Sequence, residues 1–126
     1  NAFEDGFNVF ISGMSRGVDI IAAEIVIDMK NRGLPVKLIC ASPYRNFESK
    51  WNIIWQSRYN AVLSAADLVR YICEDYETSC FFKRNRWMVD HCARVIAVYD
   101  GKGGGTKLTI DYARNRNVPV AFTGAY

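Results

Sequence analysis

The sequence predicts an α/β fold. It is a three-layer sandwich in which a mainly parallel sheet of about five strands carries helices on both faces. Three observations predict it. Short apolar or β-branched runs alternate strictly with longer segments whose apolar residues recur at helical spacing. Turn chemistry separates the two kinds of segment, as at Asn31-Arg32-Gly33 with Pro35. The crossovers are long enough for right-handed units that join parallel strands.

The elements follow in order. Residues 9–11 form a short apolar strand that ends at Ser12-Gly13. Val18, Ile21, Ala22, Ile25, Val26 and Met29 mark the inward face of a first helix. Residues 36–40 are the second strand. Trp51, Ile54, Trp55, Tyr59, Val62, Leu63 and Ala66 give a second helical stripe, read as core. Residues 68–73 are the third strand, and 81–92 a third, less regular helix. Residues 94–99 are the most β-branched run. A loop over 100–105 leads into a helix over 106–116, with Ile110 and Ala113 facing inward, and residues 118–122 close as a strand.

The chain of 126 residues is read as one domain, able to bury about two thirds of its unfolded surface. Half the residues are apolar and 23% are charged, which excludes a disordered chain. No apolar run is long enough for a membrane span, and no secretory signal pattern is present. The net charge of +3 and the scattered basic residues argue against a nucleic-acid partner. Lys83, Arg84 and Arg86 form the one basic cluster, read as a solvated helix face.

Cys40, Cys73, Cys80 and Cys92 lie at least seven positions apart, without the close pair that zinc sites use. No metal site is predicted. All four are read as reduced thiols, which points to a cytoplasmic protein. His91 is the only histidine and is placed at a helix end.

Ligands of open parallel sheets bind at the carboxyl ends of the strands, so the loops there are the candidates. Ser12, Gly13, Arg16, Gly17 and Asp19 lie on a strand-to-helix turn with two glycines. Glycine lets backbone N–H groups approach a ligand, and a helix N-terminus favours an anion. Asp19 can accept a ribose hydroxyl or complement the helix dipole. Asp100, Gly103, Gly104, Gly105 and Thr106 belong to a second loop, with four glycines in five positions. Its backbone can wrap a phosphate, although it is not a Walker A loop. Tyr44 follows the second strand and can stack on a base, with Arg45 beside it. Asn85 and Asp90 are polar positions of the third helix, open to either a site or water. No catalytic triad has local support, and Asp19, Glu24, Asp90 and Asp100 are the loosely paired carboxylates.

The segments FISGMSRGVDIIAAEIV, PYRNFESKW, YNAVLSAADLV, RNRWMVDHCARVIAVYDG and GGGT stand in an order that resembles the YpsA/YoqJ-like family. That family belongs to the SLOG superfamily, with the DNA-processing protein DprA and the lonely-guy enzymes. The resemblance covers nearly the whole chain. It implies a Rossmann-like fold that binds nucleotides or nucleotide-derived ligands between the Ser12-Gly13 loop and the Gly103–Thr106 loop. It also implies that Arg16, Gly17 and Asp19 belong to the SGxxxGxD motif, and that Asn85 and Asp90 lie near the pocket. Family members carry a further first strand with a Thr-Gly-His-Arg-like turn, so this chain is expected to lack that strand. Lonely-guy enzymes follow their glycine loop with a glutamate, whereas Thr106 here is followed by no carboxylate until Asp111.

These observations lead to a module that binds a nucleotide or an ADP-ribose-like ligand as a sensor or regulator, without a resident cofactor. The alternatives are a nucleotide N-glycoside hydrolase using Glu24, Asp90, Asp100 or Asp111, and a DprA-like nucleic-acid binder. No membrane partner is expected, and a homo-oligomer is compatible with the fold.

Overall fold

The computed structural model describes residues 2, 4–97 and 105–122. The elements run β1 (Val9–Ser12), α1 (Val18–Asn31), β2 (Lys37–Ser42), α2 (Ile53–Ala65) and β3 (Leu68–Tyr71). They continue with α3 (Cys80–Asp90), β4 (Val95–Ala97), α4 (Gly105–Asn115) and β5 (Val120–Phe122). The α/β class and the alternating order are as predicted.

Every strand pair among the described residues is parallel. Phe10 faces Leu38 across β1 and β2, Cys40 faces Val69 across β2 and β3, and Ile96 faces Ala121 across β4 and β5. The strands form two sheets, β1-β2-β3 and β4-β5, rather than one sheet of five. Among the described residues no ladder joins β1 to β4, so the expectation of a single sheet is corrected. The alternation of runs is a local signal. It fixes which segments extend, but not which edges meet. Val98 and Tyr99, the last two residues of the expected strand at 94–99, lie outside the described residues.

Helix α1 turns differently from its strongest apolar stripe. Ile20, Ala23 and Val26 are buried, whereas Val18, Ile21 and Ile25 are 45–57% exposed. Apolar residues occupy two faces of this helix, and polar anchors choose between them. Ser12 Oγ donates to the Asp19 carbonyl at 3.0 Å, and the Ser15 N–H donates to Asp19 Oδ2 at 3.1 Å. Asp19 is thereby turned toward β1, and Ala23 and Val26 follow it inward at helical spacing.

Helix α2 begins at Ile53, two positions after the start of the expected stripe. Asn52 caps it by accepting the Trp55 N–H at 3.0 Å, so Trp51 precedes the helix. Ile54, expected inward, is 67% exposed; Tyr59 and Val62 carry the buried face. The Arg58 guanidinium lies 4.3 Å from the Trp55 ring centre, and the half-buried indole packs against the edge of the core.

The main core joins Met14, Ile20, Ala23, Val26, Val36, Leu38, Cys40, Tyr59 and Val62. It packs α1 and α2 against β1 and β2. Helices α3 and α4 pair with each other; α4 rests on β4 and β5, while α3 reaches across to β2. Ile110 and Ala113 are buried on α4 as predicted. Among the described residues, no helix is long and apolar enough to cross a membrane.

Candidate functional site

At the carboxyl end of β1 the chain makes a tight polar turn. Ser12 Oγ accepts the Met14 N–H at 3.2 Å while donating to Asp19. Met14 is fully buried at a φ of 64°, a left-handed conformation that this network holds in place. Gly17 has a φ of 99° and caps α1 without a side-chain hydrogen bond. The first N–H groups of α1 have no intrahelical acceptor, and Gly17 supplies no side chain for them.

Arg84 of α3 is the post on which this turn rests. It is only 7% exposed. Its Nη1 donates to the Gly13 carbonyl at 3.0 Å and to Ser15 Oγ at 2.9 Å. Its Nε and Nη2 donate to Asn85 Oδ1 at 3.1 and 3.0 Å. A Cβ added at Gly13 would lie 3.0 Å from Asp19 Oδ2, 3.0 Å from Met88 Sδ and 3.3 Å from Arg84 Nε. The absence of a side chain at position 13 is what lets these three groups close around the backbone.

The electrostatics follow from enclosure. Burial pushes the Asp19 carboxyl above its ordinary value, against the pull of Arg84 and of the Ser15 hydrogen bonds. Burial likewise pulls the Arg84 guanidinium down, and the Asp19 charge opposes it. Each group's charge thus opposes the shift that burial imposes on the other.

An aromatic wall stands beside this post. The Phe81 ring centre lies 5.6 Å from Arg84 Cζ. Tyr44 packs edge-on against Phe81, Phe47 and Tyr76, with ring centres 6.4, 5.5 and 5.3 Å apart. Behind it Tyr59 and Ser42, both buried, share a hydroxyl–hydroxyl hydrogen bond of 2.7 Å.

Of the predicted site residues, the structure gathers Ser12, Gly13, Asp19 and, through Arg84, Asn85. Tyr44 joins them by way of Phe81. Arg16 is exposed at the turn and Gly17 begins the helix. Gly105 opens α4 with Thr106 exposed beside it. Asp100, Gly103 and Gly104 lie outside the described residues. Asp90 is tied to α4: Tyr112 donates to its Oδ1 at 2.8 Å, and Arg116 approaches to 3.5 Å. Asn85 also lines a cleft of about 210 Å³ between α3 and α4, with Phe82, Leu108 and Tyr112.

One sequence reading is corrected here. Arg84 is not part of a solvated basic face; it is a buried ligand of the β1 turn. Its position four residues after buried Cys80 and four before Met88 is the signal that places it inward. Two of the cysteines, well separated in sequence, come close in space. The loop after β3 folds back, so Cys73, Glu77 and Cys80 place their ligand atoms within 4.8 Å of one another. All four cysteines are free thiols, and His91 caps α3 as expected, stacked on Trp87.

Comparison with known proteins shows which family the sequence resembles. A family model, YpsA, described as the YspA SLOG family, matches residues 1–119. The chain is 28% identical to the Bacillus subtilis (strain 168) protein named "Uncharacterized SPbeta prophage-derived protein YoqJ", covering 83% of this chain and 68% of that one. It is 32% identical to a UPF0398 protein of Bacillus pumilus, covering 89% and 62%. It is 29% identical to the UPF0398 protein SH1465 of Staphylococcus haemolyticus, covering 80% and 58%. The chain therefore spans about three fifths to two thirds of the length of these relatives.

Proposed function

This chain belongs to the YpsA SLOG family, and on that premise we propose that it binds a nucleotide or nucleotide-derived ligand of the ADP-ribose kind. The binding turn is Ser12–Asp19, the second loop is Gly103–Thr106, and the role is that of a sensor or regulatory module. One observation carries the reading. A buried arginine holds a glycine turn in fixed geometry at the carboxyl end of a parallel strand, ahead of a helix N-terminus without a side-chain cap. Ligand phosphate suits such a position, because preset N–H groups and the helix dipole both favour an anion. Arg16 adds an exposed cation at the same turn, and Tyr44 offers an aromatic edge for a base.

Three of the four candidate hydrolytic carboxylates, those among the described residues, support binding over hydrolysis. Glu24 is held by a two-pronged contact from Arg58, Asp111 by Lys107 at 2.6 Å, and Asp90 by Tyr112 and Arg116. A general acid or base needs a carboxylate that faces substrate, and these three face cations or a phenol instead.

Thermal melting with AMP, ADP, NAD and ADP-ribose tests the proposal. A ligand at 100 times its dissociation constant adds about 2.7 kcal/mol, which moves the midpoint by several degrees. The expected result is a shift with at least one ligand that Arg16→Ala diminishes. No shift with any of the four overturns the reading. Release of free base during incubation replaces it with the hydrolase.

A further inference from the structure

We propose that Cys73, Glu77 and Cys80 form a binding site for a thiophilic divalent cation, with Zn²⁺ as the fitting ion. The site lies where β3 passes into α3, and it does not rest on the nucleotide reading. Cys73 follows β3 and Cys80 is the first residue of α3. The Cys73 N–H is fixed on the Pro43 carbonyl at 2.9 Å, and the Cys80 N–H on the Glu77 carbonyl at 3.1 Å. Both sulfur ligands therefore sit on anchored backbone rather than on a free loop.

The ligand atoms already converge. Cys73 Sγ lies 3.4 Å from Glu77 Oε1, and all three groups lie within 4.8 Å of one another. Tetrahedral zinc with about 2.3 Å to sulfur and about 2.0 Å to oxygen needs ligand atoms about 3.5–3.8 Å apart. Only small side-chain rotations separate the cluster from that geometry. Both cysteines are buried, whereas Glu77 is exposed, so the ion would have an enclosed side and an open side for water. The Glu77 N–H donates to Cys80 Sγ at 3.1 Å, the kind of outer contact that steadies a thiolate.

The balance of charge and protons is complete. Two S–H bonds break and release two protons to solvent, while two metal–sulfur bonds and one metal–oxygen bond form. The contacts given up are the thiol hydrogen bonds from Cys73 to Glu77 and from Cys80 to the Asp75 carbonyl, 3.4 and 3.6 Å long. Two thiolates and one carboxylate around a dication leave one net negative charge. The Lys83 ammonium, 2.5 Å from Glu77 Oε1, neutralises it. Two sulfur ligands select zinc over magnesium or calcium.

Zn²⁺ titration of the reduced, metal-free full chain tests the site, with proton release and Co²⁺ absorption as readouts. The expected result is one ion per chain, release of about two protons near neutral pH, and a thiolate-to-Co²⁺ charge-transfer band. Cys73→Ser and Cys80→Ser each weaken binding at least tenfold, and Cys92→Ser leaves it unchanged. Glu77→Gln, at an exposed position, weakens binding without unfolding the chain. Absence of one-to-one binding, or binding that Glu77→Gln and Cys73→Ser both leave intact, overturns the proposal. A reduced chain that ignores Zn²⁺ but closes a Cys73–Cys80 disulfide on mild oxidation also overturns it.

Discussion

Arg84 Nη1 donates a hydrogen bond of 3.0 Å to the carbonyl of Gly13, joining residues 71 positions apart. Through that contact and the one to Ser15 Oγ, the third helix sets the shape of the turn that follows the first strand. The same guanidinium also acts electrostatically on Asp19, opposing the effect of burial on its carboxyl.

Arg84→Met leaves the Gly13 carbonyl and Ser15 Oγ without their donor, and Asp19 without the cation that opposes its burial, and is expected to lower stability by about 1–3 kcal/mol. In the Asp19→Asn background the same change costs less, because the orphaned charge is gone. Urea denaturation of the two single variants and the double variant measures this coupling. Strict additivity would show that the pair does not interact.

Gly13 and Gly17 are needed for different reasons. Gly13→Ala puts a methyl 3.0 Å from both Asp19 Oδ2 and Met88 Sδ, an overpacking of about 1–3 kcal/mol. Gly17→Ala meets nothing within 4 Å, so its cost of about 1–3 kcal/mol is backbone strain at φ 99° alone. Arg84→Met therefore changes the penalty of Gly13→Ala and leaves that of Gly17→Ala alone, as melting of the paired variants will show.

Tyr59→Phe deletes a buried hydroxyl and strands that of Ser42. The expected loss is about 1–2 kcal/mol in urea denaturation. Burial also pushes the Tyr59 phenol well above its ordinary value, against the help of Ser42. In an absorbance titration of tyrosinate, Tyr59→Phe should remove a group that ionises only as the protein unfolds in alkali.

Asp67 links α1, β2 and β3. It accepts from Lys30 Nζ at 2.6 Å and from the Leu38 N–H at 2.9 Å, and these contacts hold its carboxyl below the ordinary 3.8. A carboxyl with a depressed folded value stabilises the fold above its unfolded value, and that contribution is lost as pH falls through the folded one. Asp67→Asn is thus expected to be less stable than the parent at neutral pH. The gap should close as pH drops below 3.8. A gap that persists in acid would assign the loss to packing.

Particular residues show where sequence reading stops. The β1 turn, with Ser12, Gly13, Gly17 and Asp19, is legible because strand, glycines and helix start lie within eleven positions of one another. Ile110 and Ala113 are legible for the same reason: a short helix with one apolar face has one way to turn. Helix α1 is not, because Val18, Ile21 and Ile25 make as good a stripe as the buried Ile20, Ala23 and Val26. Only the hydrogen bonds of Asp19 choose between them. Arg84 heads the RNRWMVD segment, yet its charge reads as surface until Gly13 and Asp19 are set beside it.

The sequence by itself determined the class, the order of the elements, the parallel connections and the family. These rest on periodicity, turn residues and ordered motifs, all carried by neighbours along the chain. The tertiary structure alone decided that the strands divide between two sheets, that Arg84 is buried under the β1 turn, and that Cys73 and Cys80 meet at Glu77. Each of those depends on contacts between elements, whose free energy is gained only when the intervening loops close. Local pattern does not encode that closure.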